Sequence, residues 1–483
     1  MNIVLIIIDT LRYDYIGANG NDRIDTPNLD GLAARSMGFD RAFSASYPTI
    51  PHRTDVMTGR YGGPFHTWKP LPFDAQTLPW TLAEAGYCTQ LLHDTPHLVN
   101  GGHNFDWPFH AWQFFRGAEV DRSWICKAEW LENWRRDPLF DCLGDEAAEI
   151  KHVYTYARTN HGRQAPGDWN CAQLFQHAAQ FLKDNADRDN FFLWVDCFDP
   201  HEPWDAPREF VLKYDDTPGY DGTIDPRCLF NFRNDKRLSE AARARIASLY
   251  SAKVSWMDHC LGQFLDALDS TGLSKNTAVI LTADHGTNVA ERGRFGKGYP
   301  VREQEGHVPF FICAPGVRAG RSRAIVHPQD VFATVMGLAG QAPPEGMDSQ
   351  DLLAAAQGGG SRKLALAGNG ANTWGNRYKQ DPAAVLFTAF TEAWTLEVAA
   401  KPEDSRLSAL GSLDYVEKDH PETVRDLHAQ AVDEVERRGV DPALMAWLRS
   451  GGEAEWPKDC RFWDGWPGPA GYYTYFSRLY GGA

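Results

Sequence analysis

The chain has 483 residues, 43% hydrophobic and 23% charged, with Lys+Arg 48 against Asp+Glu 64 for a formal net charge of −16. That acidic balance excludes an overall nucleic-acid footprint, which would be basic, and the length suits one large domain joined to a smaller one. No apolar run approaches the roughly twenty residues of a membrane span.

In chain order, the first element is a strand over residues 2–8 (NIVLIII), which ends at Asp9. It has neither basic leader nor cleavage site, so it is not expected to be a secretory signal. Pro51 fits the first turn of a helix that begins after Thr49. Residues 100–175, containing FDWPFHAWQFF and ENWRRDPLFDC, are aromatic-rich and long for a connection, as in a substrate-shaping lid. The runs 191–196 (FFLWVD), 277–281 (TAVIL) and 308–313 (VPFFIC) are continuously apolar, the pattern of strands buried on both faces of a parallel sheet. The clearest helix spans 239–268: Ser239 can cap it, apolar residues recur from Ile246 to Leu268, and Gly272 lies just beyond. Strands alternating with helices imply an α/β architecture.

The glycine run in 357–361 (QGGGS) reads as a linker. Beyond it, residues 385–399 are strand-like and 421–438 form a helix opened by Pro421 and ended by Gly439. The tail over 456–480 is dense in Trp and Tyr, which is expected to pack on the body or on a second subunit and so to support a homo-oligomer. Nine cysteines, an odd number without close pairs, suit free thiols in a reducing compartment, and the expected location is the cytoplasm.

The chemistry gathers where strands stop. Asp9 ends the first, the 191–196 run leads into Asp199-Pro200-His201, and the 277–281 run leads into Asp284-His285-Gly286. Ligands of open parallel sheets bind outside the carboxyl ends of the strands. Three such clusters can therefore converge on one site.

A fourth motif is Thr49-Ile50-Pro51-His52-Arg53, followed by Thr58-Gly59. With IIIDTLRYDYIG, DPHEPW, TADHG, ERGRFGKG and HPQDVFATVMGLAG in the same order, the chain resembles the sulfatase branch of the alkaline phosphatase superfamily over roughly residues 2–340. That branch carries Cys or Ser-x-Pro-x-Arg, with Thr-Gly nine and ten residues after the first position. Counting from Thr49 reaches Thr58-Gly59, whereas counting from Ser46 reaches Asp55-Val56. Thr49 therefore occupies the nucleophile position. The resemblance implies a three-layer α/β/α sandwich with a mainly parallel sheet over residues 1–356. It also implies a smaller C-terminal α+β subdomain over 362–483.

Four departures from the family pattern shape the expected chemistry. Thr49 cannot become formylglycine, so an ester on it has no second hydroxyl through which to collapse. Thr10 follows Asp9 where many sulfatases have a second aspartate. His285 stands where calcium-type sulfatases have asparagine, and imidazole suits manganese, zinc or iron better than calcium. After Gly86-Tyr87, the family's Gly-Lys-Trp-His is replaced by His93-Asp94-Thr95-Pro96-His97, which lacks the lysine.

The resemblance thus implies one divalent ion held by Asp9, Asp284, His285 and the Thr49 oxygen, with Mn, Zn or Fe ahead of Ca. It assigns Arg53 to Thr49 or the transferred group, Lys297 to the ester oxygens and His201 to protonating the leaving oxygen. His97, His93 and His307 are the candidates on the substrate side. The expected activity is hydrolysis of small phosphoesters or phosphonate esters through Thr49, of phosphodiesterase or phosphonate monoester hydrolase type. The alternative is a sulfatase. A non-catalytic binding protein on the same fold is the rival from another class, and the joint presence of the ligands, Arg53, His201 and Lys297 argues against it.

Overall fold

Seven consecutive apolar or amide side chains, Asn2 to Ile8, are all buried, which is possible only where both faces of a sheet are covered. The computed structural model describes residues 1–455 apart from 65, 67, 101, 120, 122–135, 144–149, 226–236, 299, 360–361, 370–382 and 441. The aromatic tail lies outside the described residues, as do parts of the 100–175 insertion and the end of the 357–361 linker. In chain order the strands are β1 (Asn2–Ile8), β2 (Met37–Phe43), β3 (Ser46–Tyr47), β4 (Cys88–His93), β5 (Ala111–Phe114), β6 (Phe191–Cys197), β7 (Thr277–Ala283), β8 (Asn288–Val289), β9 (Phe295–Gly296), β10 (His307–Val308), β11 (Phe310–Cys313), β12 (Gly320–Val326), β13 (Ala365–Asn369), β14 (Phe387–Phe390), β15 (Trp394–Val398) and β16 (Arg406–Ala409).

The large sheet runs β10-β2-β11-β7-β1-β6-β4-β5, with β12 beside β2. Its centre is parallel: β1 pairs with β6 and β7, and β4 with β6 and β5. The fourth apolar run departs from the parallel expectation. It divides at Pro309, which has no N–H to give a ladder, and β11 pairs antiparallel with both β7 and β2. The architecture is α/β with a large, mainly parallel sheet and a smaller C-terminal sheet.

The long helix runs from Glu240 to Ser270, and Ser239 Oγ accepts from Ala242 N at 3.1 Å as its cap. The C-terminal helix runs from Pro421 to Arg437, with Gly439 at φ 74°. Residues 385–399 form two strands, β14 and β15, because Thr391 Oγ1 accepts from Ala393 N and Trp394 N and turns the chain between them.

The smaller sheet has the order β16-β15-β14-β13-β3. Its edge strand β3 comes from the N-terminal region and pairs with β13 through Ser46 and Tyr47. The second sheet therefore grips the chain two residues before Thr49.

Candidate active site

Register brings the acids together. Ile8 of β1 lies opposite Ala283 of β7, so the next residues, Asp9 and Asp284, are neighbours at the carboxyl ends of adjacent strands. Thr10 holds a positive φ of 64°, an unusual state for a β-branched residue. There its N–H donates to Asp284 Oδ1 (3.0 Å) and its hydroxyl to Asp9 Oδ1 (2.7 Å). His285 N also donates to Asp284 Oδ1, at 2.7 Å. One oxygen of each acid is thus tied back, which leaves the two Oδ2 atoms facing inward.

His285 completes the group. Its Nδ1 donates to Gly286 O at 2.8 Å, so Nε2 carries the lone pair, 3.5 Å from Asp284 Oδ2 and 3.9 Å from Asp9 Oδ1. Burial pushes the imidazole down to about 4, so it is neutral at neutral pH, as a metal ligand must be. Ligand atoms of Asp9, Asp284 and His285 lie within 4.8 Å of one another. His285 Nε2 and Asp9 Oδ2 are buried without a hydrogen-bond partner. The bare Nε2 of His285 beside two carboxylates fits a cation.

Thr49 opens a helix, Thr49–Thr58, in which every residue is buried. Pro51 lies in its first turn, where a missing N–H leaves nothing unmet. Gly59 ends it at φ 64°, and a Cβ there would meet Met347 Sδ at 2.6 Å and Phe332 Cγ at 2.9 Å. Only glycine fits that approach, which explains the Thr-Gly position in physical terms.

Arg53 is four residues after Thr49 and so on the same helix face. Its guanidinium is fully buried and bonds to the inward Oδ2 of Asp284, while Nη1 lies 3.1 Å from Asp9 Oδ2. Nε and Nη2 engage Asp196 at 3.1 and 2.9 Å. The sequence assigned Arg53 to Thr49 or the transferred group; the structure places it against three carboxylates.

His201 leaves β6 on a turn fixed by Lys253, which pairs with Asp199 at 3.0 Å and Asp205 at 2.7 Å. Its Nδ1 donates to Glu202 O at 2.7 Å, and its Nε2 accepts from Lys297 Nζ. Lys297 also pairs with Glu202 at 3.0 Å. Burial, then the Lys297 charge, hold His201 well below the ordinary histidine value. Burial alone would lower Lys297, but Glu202, Asp9 and Glu119 together raise it. The ammonium of Lys297 thus donates to a neutral His201 imidazole.

The Sulfatase family profile matches residues 1–341. The chain belongs to the sulfatase family. It is 27% identical over 389 residues to an arylsulfatase of Clostridium perfringens, covering 73% of this chain and 78% of that one. It is 28% identical over 356 residues to human iduronate 2-sulfatase, covering 67% and 61%. The matched stretch thus spans less than two thirds of the human relative. Among solved structures, the phosphonate monoester hydrolase of Agrobacterium radiobacter superposes with TM-score 0.64 at 19% identity, over 93% of this chain and 96% of that one. A Bacteroides thetaiotaomicron protein of glycosaminoglycan metabolism gives 0.66 at 19% identity, over 93% and 98%. This chain is a hydrolase of the sulfatase family.

The three histidines named for the substrate side part company. His97 sits edge-on to Phe198 and Trp68, and its Nδ1 is buried without a partner. Burial, then the charges of His103, Lys297 and Arg53, push it down to about 3. His93 is locked inside β4, stacked on Phe114, with Nδ1 donating to Thr95 O at 3.1 Å. His307 stacks on Tyr13 at 3.9 Å and bonds Asp40 O at 3.0 Å through Nε2. These contacts turn it into a different cleft, lined by Tyr13, Asp14, Arg41 and Glu303.

Sequence reasoning missed Asp196, Glu202 and Glu119. Asp196 had a signal: a lone carboxylate closing the apolar run FFLWVD needs a buried cation. Glu202 and Glu119 had none.

Proposed function

We propose that the protein hydrolyses sulfate monoesters with Thr49 as nucleophile and Asp9, Asp284 and His285 as ligands of one divalent ion. The observation that carries this reading is that Thr49 and Arg53 share one face of a buried helix and that Arg53 reaches Asp9 and Asp284. The names of the relatives favour sulfate over the phosphorus esters expected from Thr49 alone. When bound, the ion would lower the pKa of a nucleophile's oxygen and polarise the ester. The bare Nε2 of His285 favours Mn, Zn or Fe over Ca in that place.

The chain's own residues do the rest. Thr49 Oγ gives its proton to solvent and forms a bond to sulfur as the bond from sulfur to the leaving oxygen breaks. The proton on that oxygen comes from the Lys297–His201 pair. Because threonine has a single hydroxyl, water must then attack sulfur, and Thr49 Oγ departs and regains a proton. Asp196 keeps Arg53 aligned through both steps.

A second reading has one observation in its favour. The unmodifiable Thr49 suits phosphonate monoesters, whose intermediates are released by water in this way. Parallel kcat/KM values for nitrophenyl sulfate, a nitrophenyl phosphonate and mono- and diester phosphates distinguish the two. Sulfate is expected to lead; preference for any phosphorus ester would move the protein to the second reading.

A further inference from the structure

Glu119 lies just beyond β5, inside the segment that the sequence marks as an insertion. Its Oε2 is 3.2 Å from His201 Nδ1, with the side chain 19% exposed. It is therefore at the leaving-group side of the site and still reachable. The single proton of His201 Nδ1 is directed to Glu202 O at 2.7 Å. The nearest cation in sequence, Arg116, is paired with Asp121 at 2.6 Å. Among the described residues, none donates a hydrogen bond to the Glu119 carboxyl.

The charge around it sharpens the point. Five carboxylates (Asp9, Asp284, Asp196, Glu202 and Glu119) meet two cations, Arg53 and Lys297, among the described residues. With a divalent ion at the Asp9–Asp284–His285 group, these charges balance while Glu119 is protonated and leave one negative charge over when it ionises. Burial raises the Glu119 acid to about 8, with Lys297 opposing and the charges of Glu202 and Asp9 adding. A positive charge placed beside the carboxyl would favour its ionised form.

We propose that Glu119 is a specificity determinant that pairs with a protonated amine on the alcohol of the ester, so that the substrate is a zwitterion. The ammonium supplies the missing charge and a charge-assisted hydrogen bond to Glu119 Oε, while the anionic ester occupies the Thr49 end. This rests on the ester-hydrolase reading above.

The test compares 2-aminoethyl and n-propyl esters, which differ by an ammonium for a methyl, each as sulfate and as methylphosphonate. Nitrophenyl sulfate and nitrophenyl methylphosphonate report whether the ester chemistry itself is present. Wild type is expected to prefer the aminoethyl ester by about tenfold or more in kcat/KM, and Glu119→Gln to collapse that ratio. Comparing the ratio between the two proteins cancels the intrinsic difference between the leaving groups. An equal ratio in wild type and Glu119→Gln overturns the proposal. If Glu119→Gln does not fold, product inhibition of wild type decides: 2-aminoethanol should inhibit at lower concentration than n-propanol, and equal inhibition overturns the proposal. Turnover of no ester at all would instead remove the ester-hydrolase reading.

Discussion

Asp196 shows how one side chain sets the state of a site. It takes Arg53 Nε and Nη2, the Thr95 hydroxyl at 2.6 Å and Trp194 Nε1 at 3.1 Å. An arginine so held is a fixed positive charge rather than a mobile one. The Thr95 hydroxyl is thereby committed to Asp196. At the ligand group, the neutral His285 with a bare Nε2 leads to a defined metal response. Chelator-stripped protein is expected to regain bound metal and activity with manganese, zinc or iron(II) better than with calcium, measured as metal per chain beside turnover. Full recovery by calcium alone would remove His285 from the ligand set. Asp9, Asp284 and His285 were legible because strand ends concentrate ligands and their residue types are explicit. Glu119 was not legible, since nothing in its neighbours' identity reveals that a loop folds back onto His201.

Among the elements, the segment carrying Lys297 is clamped from outside the large sheet. Glu397 of β15 takes Arg302 Nε at 3.3 Å, lies 3.5 Å from Arg292 Nη1 and accepts from the Tyr415 hydroxyl at 2.7 Å. Thr388 of β14 donates to Val301 O at 2.6 Å. From within, Glu305 accepts from the N–H groups of Gly298 and Arg302 and from the Tyr47 hydroxyl. Both flanks of Lys297 therefore depend on the smaller sheet, as does the approach to Thr49 through β3. Glu397→Gln is expected to lower kcat for alkyl esters, which need a proton on the leaving oxygen, by roughly tenfold or more. Nitrophenyl esters should lose much less; equal losses would show a general disturbance rather than displacement of Lys297. The capped helix from Glu240 and the helix from Pro421 were readable because their signals are local. The pairing of β13 with β3 joins residues more than three hundred positions apart, and no local pattern announces it.

For the whole molecule, one core fills the large α/β body, a second lies between the smaller sheet and the helix from Pro421, and a third patch, with Phe43, Tyr47, Val301 and Phe390, joins them. Several histidines are buried neutral in this body. Burial pushes His93 and His103 down to about 4 each, with Asp196 and Asn100 O respectively opposing it. Unfolded histidine titrates near 6.5. As pH falls below that value the unfolded chain binds protons that the folded chain refuses until about pH 4, so stability is lost across this window. Each group contributes on the order of 3 kcal/mol at most. The thermal midpoint is expected to fall steadily from pH 6.5 to 4, with a shallower slope in His93→Asn; a flat profile would contradict the neutral buried histidines. No described helix is long and apolar enough to cross a membrane. The most direct test of the central claim is kcat/KM for nitrophenyl sulfate in wild type and Thr49→Ala, with metal per chain measured on the same samples. Thr49→Ala is expected to lose activity by a factor of about 10⁴ or more while keeping its metal, because Asp9, Asp284 and His285 are untouched; turnover near the wild-type rate would contradict Thr49 as the nucleophile.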